Sequence, residues 1–105
     1  MARPLAPDAT TDPRLLRLAE GDNVLIVTSV IAADEPYRID GEVITSPVPL
    51  PLGFKVAAVD LPLATVAIRY GMPIGRTTSA VARGEMVHIH NLESLYMRTH
   101  ARGEA

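Results

Sequence analysis

The stretch "KVAAVDLPLATVAIRYGMPIGRTTSAVARGEMVHIHNL", residues 55–92, decides the fold class. Its apolar runs are only a few residues long, rich in Val and Ile, and bounded by Gly or Pro, which argues for short strands rather than helices. Four strands are expected: KVAAVDL (55–61), VAIRYG (66–71), GRTTSAV (75–81) and EMVHIHNL (85–92). GMPIG (71–75) reads as a tight reversal between Tyr70 and Arg76.

The β reading extends upstream. DNVLIVTSVI (22–31) is a β-branched run too short for a confident helix. YRIDGEVI (37–44) is a hairpin, because Asp40-Gly41 suits a two-residue turn that needs positive φ. SPVPLPLG (46–53) has prolines at 47, 49 and 51 and so forms an extended edge or a loop, never a central strand. A weak repeat links these pieces: an apolar residue, two residues, Gly, two residues, an apolar residue. It occurs at Leu18–Gly21–Val24, Leu50–Gly53–Val56 and Val81–Gly84–Val87, with a degenerate copy at Leu61–Ala64. In each copy an apolar anchor enters a turn that Gly relaxes, and a strand leaves it. Irregular spacing rules out a solenoid and favours a compact β domain.

Residues 1–20 show no strand pattern and are expected to form a flexible arm, with Asp12-Pro13 capping one helical turn through Leu18. The β domain is expected over 21–95, and 96–105 reads as a polar tail.

At 105 residues the chain fits one small domain, and 48% hydrophobic residues allow a core. Aromatics are only 4%, so that core is aliphatic. A domain this small gains from pairing with another chain, and the proline segment leaves a strand edge open. A homodimer or higher oligomer is therefore expected. Net charge is −2 with no basic stripe, which argues against nucleic acid. No apolar run is long enough for a signal peptide or a membrane span. The absence of cysteine removes thiolate chemistry and fits a cytoplasmic protein.

Three places could carry chemistry. On a strand, His88 and His90 would face the same way, while Val87 and Ile89 point into the core. Two imidazoles on one face can share a divalent metal or, protonated, hold a carboxylate. The plain alternative is a solvent-facing strand with two polar residues, because metal sites normally use three or four ligands. Lys55 is the single lysine among ten basic residues and sits at a loop-to-strand junction, where substrate-contacting groups are common. The alternative there is a solvated amine. Arg69-Tyr70-Gly71 offers a cation, a phenol and a close-approach glycine, or simply ends a strand. Asn91 ends the histidine strand and could satisfy its own turn.

Residues 50–94 strongly resemble the N-terminal domain of the altronate/galactarate dehydratase family, the UxaA-like hydro-lyases. The family pattern of G-H-K, K-Y-G, I-G and G-x-x-V-H-x-H-N appears here as Gly53-Phe54-Lys55, Arg69-Tyr70-Gly71, Ile74-Gly75 and Gly84-Glu85-Met86-Val87-His88-Ile89-His90-Asn91. Asp22-Asn23-Val24 matches the usual opening strand, so the resemblance covers about residues 22–94. Phe54 replaces a histidine of the pattern, and Arg69 replaces a lysine.

The resemblance implies a SAF domain of β-clip fold. It implies dehydration of hexonic or hexaric sugar acids to 2-keto-3-deoxy acids, with a divalent metal, often iron. Most of the machinery would lie in a large catalytic chain, and in the related sulfolactate sulfo-lyase the small domain is a separate subunit. The chain is accordingly expected to be such a small subunit, inactive alone. Lys55, His88 and His90 are expected to be catalytic, and Arg69, Tyr70, Gly71 and Asn91 to bind a small acidic substrate. His88 and His90 are the candidate metal ligands, with the metal shared with the large subunit. The rival expectation is a non-catalytic module that binds a small hydroxy acid or a protein.

Overall fold

The computed structural model describes residues 10–94. These residues form nine short strands and no helix: β1 (Leu15–Leu16), β2 (Val24–Val27), β3 (Tyr37–Ile39), β4 (Glu42–Ile44), β5 (Lys55–Ala57), β6 (Val66–Arg69), β7 (Met72–Thr77), β8 (Met86–Val87) and β9 (Leu92–Ser94). All pairings are antiparallel. The central sheet runs β1-β2-β5-β8, a second sheet runs β6-β7-β9, and β3-β4 is a separate hairpin.

Because side chains alternate across a strand, the central sheet feeds two cores. Leu25, Val27, Val56 and Ala58 pack on one side with Leu15, Ile31, Tyr37, Ile39 and Leu50. Val24, Ala57 and Val87 pack on the other with Leu61, Ala67 and Val81. Burial of each large aliphatic chain contributes about 1.5–3 kcal/mol. With few aromatics, the core depends on many such contributions.

The repeated unit is the organising element, and the structure adds a fifth copy at Ile31–Asp34–Tyr37. The fourth residue of every copy has positive φ: Gly21 (92°), Asp34 (64°), Gly53 (88°), Ala64 (66°) and Gly84 (86°). The seventh residue is buried in every copy: Val24, Tyr37, Val56, Ala67 and Val87. Four of the five copies join in pairs by mutual backbone hydrogen bonds, Ile31 with Leu50 and Leu61 with Val81.

A chemical rule separates the copies. Where the second residue is alanine, its N–H is taken by the carboxylate of the fifth: Ala19 to Asp22 at 3.1 Å, Ala32 to Glu35 at 3.0 Å and Ala82 to Glu85 at 3.0 Å. Where the second residue is Pro51 or Pro62, no N–H exists to satisfy. The fifth residue there is Phe54 or Thr65, neither of them acidic.

Several expectations are corrected. In place of the helical turn through Leu18 the chain forms strand β1. Leu15 and Leu16 there pair with Val27 and Ile26, and Leu15 is buried. Pairing to β2 outweighs the local cap signal of Asp12-Pro13. Asp12 uses its carboxylate on Arg14 instead, accepting from the backbone N at 2.9 Å and from Nη2 at 2.8 Å. The reversal expected at GMPIG lies one step earlier, at Tyr70-Gly71, where both φ values are positive (52° and 75°). This is the same turn geometry as Asp40-Gly41 (50° and 86°), which does close the predicted hairpin. Met72–Thr77 then continues as β7, with Pro73 opposite Ile68 at a bulge. The tail 96–105 lies outside the described residues.

Candidate functional site

The largest correction concerns the histidines. β8 ends at Val87, and His88-Ile89-His90-Asn91 is a turn closed by the Asn91 N–H donating to the His88 carbonyl at 3.0 Å. The Asn91 side chain stops the strand. Its Oδ1 accepts from the His88 N–H at 2.9 Å, and its Nδ2 donates to the Met86 carbonyl at 2.8 Å. Those two groups would otherwise bond a neighbouring strand, so one carboxamide takes a strand's place along this edge of β8. Asn91 is buried (2%). The side chain satisfies its own turn, one of the two roles expected for it from the sequence. Val87 points into the core as expected, but Ile89 is 84% exposed. His88 and His90 are both exposed.

Asn23 repeats the device on the second sheet. Its Nδ2 donates to the Val66 carbonyl at 2.9 Å and its Oδ1 accepts from the Ile68 N–H at 2.7 Å. Beside it, the buried carboxylate of Asp22 accepts the N–H groups of Tyr70 (2.6 Å), Gly71 (2.8 Å) and Ala19 (3.1 Å). Asp22 thereby holds the Tyr70-Gly71 turn, including a tyrosine in the left-handed region, where a non-glycine residue costs energy. Sequence reasoning matched Asp22-Asn23 to a pattern but missed this positioning role. The signal available was an Asp-Asn pair directly before a buried strand.

Lys55 lies half-buried at the start of β5, opposite Val87 in register and so next in chain to His88. Burial pushes its amine below the ordinary lysine value, and the nearby Arg69 guanidinium adds to the effect. Among the described residues no carboxylate pairs with either cation. Phe54 packs its ring on His88, with centroids 5.0 Å apart and planes tilted by 39°. The charge of Arg69 thus reaches Lys55, and Phe54 packs on His88. The two pairs are linked through the Phe54–Lys55 peptide and the β5–β8 register. Tyr70 and Gly71 are exposed at the tip of the β6–β7 hairpin.

The described residues contain no group of three or more His, Asp or Glu side chains able to hold a metal ion. Two exposed imidazoles on a turn, one of them against Phe54, do not make a metal site by themselves. A groove of about 390 Å³ lies elsewhere, lined by Thr11, Asp12, Pro13, Pro36, Tyr37, Arg38 and Val43, and contains none of the candidate residues. The candidate site is an open surface on this chain. No helix among the described residues is long and apolar enough to cross a membrane.

Comparison with known proteins gives the family of the chain. Residues 13–95 match the family model described as the altronate/galactarate dehydratase SAF domain. The altronate dehydratase of Escherichia coli K12 is 31% identical over 70 residues, which are 67% of this chain and 14% of that protein. The (2R)-sulfolactate sulfo-lyase subunit alpha of Chromohalobacter salexigens is 38% identical over 45 residues, 43% of this chain and 48% of that protein. The chain therefore spans about half of one relative and about a seventh of the other.

Proposed function

The chain belongs to the altronate/galactarate dehydratase SAF-domain family, and from that premise we propose that it is the small component of a hydro-lyase acting on a sugar acid, active only with a large chain. The observation that carries the reading is the half-buried Lys55 within the electrostatic reach of Arg69, two cations that pair with no carboxylate among the described residues. A substrate carboxylate is a fitting counterion for such a pair.

Loss of water β to a carboxylate breaks the α C–H bond, moves its electrons into a new C=C bond, and expels the β-oxygen, which needs a proton. The resulting enol tautomerises to a 2-keto-3-deoxy acid. A base and an acid must therefore stand on the substrate. In this reading Arg69 and Lys55 hold the carboxylate, and the lowered pKa of Lys55 also suits it to carry a proton. His88 and His90 supply further proton-transfer groups from the turn. Tyr70 and Gly71 border the substrate at the hairpin tip. Among the described residues no three donors come together for a metal site, so a divalent metal would draw most of its ligands from the large chain.

A second reading, a non-catalytic module binding a hydroxy acid, is favoured by Phe54. It places a carbon ring against His88 where the family pattern has a histidine. Sulfite loss from a sulfolactate-type substrate is the other lyase outcome, since one relative is named for it.

The test is co-expression with a large chain similar to the remainder of altronate dehydratase from the same genome, followed by assay on altronate, galactarate and sulfolactate. Activity of the pair, absent from either chain alone and lost by at least about 100-fold in His88→Ala or Lys55→Met, is expected from removal of proton-transfer groups. Turnover by the isolated chain would overturn the subunit reading. Full activity of the pair in all the variants would mean that the domain plays a purely structural part in the complex.

A further inference from the structure

We propose that Ile89 is the apolar anchor by which this domain docks onto the large lyase chain, seating in an apolar pocket beside that chain's part of the active site. The inference rests on the subunit reading above and names its contact.

A single exposed apolar side chain is ordinary on a protein surface. Three observations set Ile89 apart. It is the most exposed of the large hydrophobics among the described residues, at 84%. It sits on a turn fixed at three points, by the Asn91 N–H to the His88 carbonyl and by both polar ends of the Asn91 side chain. A residue fixed in this way loses little further freedom on binding, which favours affinity. Ile89 also lies between His88 and His90, and the Phe54 ring on His88 adds carbon surface beside it.

The flanking histidines decide the occupant. The described residues offer no third ligand and both imidazoles are exposed, so a substrate held at them calls for another surface. The matched segment is only 14% of the altronate dehydratase relative. A surface that brings catalytic groups to His88 and His90 must cover Ile89 between them. A rigid apolar knob at the centre of polar groups has the make-up of an interface hot spot.

The test uses the purified large chain described above as probe and measures Kd for the wild-type domain, Ile89→Ser and Val30→Ser. Val30 is also exposed (59%) but lies on the turn before the Ile31–Leu50 bridge. Ile89→Thr serves as a second variant that keeps the β-branch, and dispersed amide NMR spectra confirm folding. Ile89 has no positive φ, so either replacement suits the backbone. The expected result is a Kd raised at least about tenfold by both Ile89 variants and less than about threefold by Val30→Ser, consistent with loss of a buried aliphatic chain. Unchanged binding by the Ile89 variants, or an equal loss in Val30→Ser, would overturn the anchor while leaving the subunit reading intact. Failure of the wild-type domain to bind the large chain would overturn both.

Discussion

Lys55 shows how one residue can be legible in sequence while its environment is not. Its singularity among nine arginines marked it, but the half-burial and the approach of Arg69 depend on β2, β5 and β6 coming together. The direction of its shift gives a testable sign. The folded protein holds the Lys55 proton less well than the unfolded chain does, so charge on Lys55 opposes folding below its folded pKa. That penalty is relieved as pH rises from the lowered value towards 10.5, the ordinary one. Titration of the Lys55 amine by NMR is expected to give a midpoint below 10.5. In Arg69→Gln the midpoint should move up but not fully recover, because burial is the larger cause. No movement would place Arg69 too far away to share a substrate carboxylate. The histidines were equally visible as letters, yet their strand was not. The competitor was the Asn91 carboxamide, whose two hydrogen bonds end β8 at Val87, before either histidine, and side-chain capture of backbone groups leaves little periodic signal.

Among the elements, the turn unit explains most of what could be read in advance. Short β runs, the Asp40-Gly41 hairpin and the repeat all rest on local chemistry, and all appear in the structure. The Tyr70-Gly71 reversal was displaced because a tyrosine at positive φ is locally unfavourable and is held there by Asp22, 48 residues away. The fifth repeat was hidden for a related reason: Asp34 fills the glycine position, and Asp tolerates that backbone region better than most residues. The pairing of alanine N–H with a carboxylate, and its absence at proline, predicts a rescue. Glu85→Ala leaves the Ala82 N–H without its protein partner and is expected to cost about 0.5–1 kcal/mol in urea unfolding. Ala82→Pro removes that N–H at a position where Pro51 and Pro62 already show proline to be compatible. It should restore most of the loss in the double variant, with some gain from restricting the unfolded chain. Additive destabilisation of the two changes would mean that the copies are not interchangeable at this position.

For the molecule as a whole, the question is which strand edges remain open to another chain. Asn91 closes part of the β8 edge and Asn23 part of the β6 edge, each with a side-chain amide standing in for a neighbouring strand. β4 is different. Among the described residues it pairs only with β3, and its central residue Val43 is exposed and lines the groove with Asp12, Pro13, Pro36, Tyr37 and Arg38. An edge with no second strand partner among the described residues, carrying an exposed apolar side chain beside a groove, favours self-association, and a domain of this size gains from burying that surface. We therefore expect a symmetric dimer through β4, well separated in sequence from the Ile89 turn, so that self-association and docking of the large chain use different surfaces. Light scattering at micromolar concentration should give twice the chain mass for the wild type. Val43→Lys, which places a charge on the open edge, should give a folded monomer. A dimer that survives Val43→Lys would move the contact to another edge, and a wild-type monomer would mean that β4 is adequately shielded by its own hairpin.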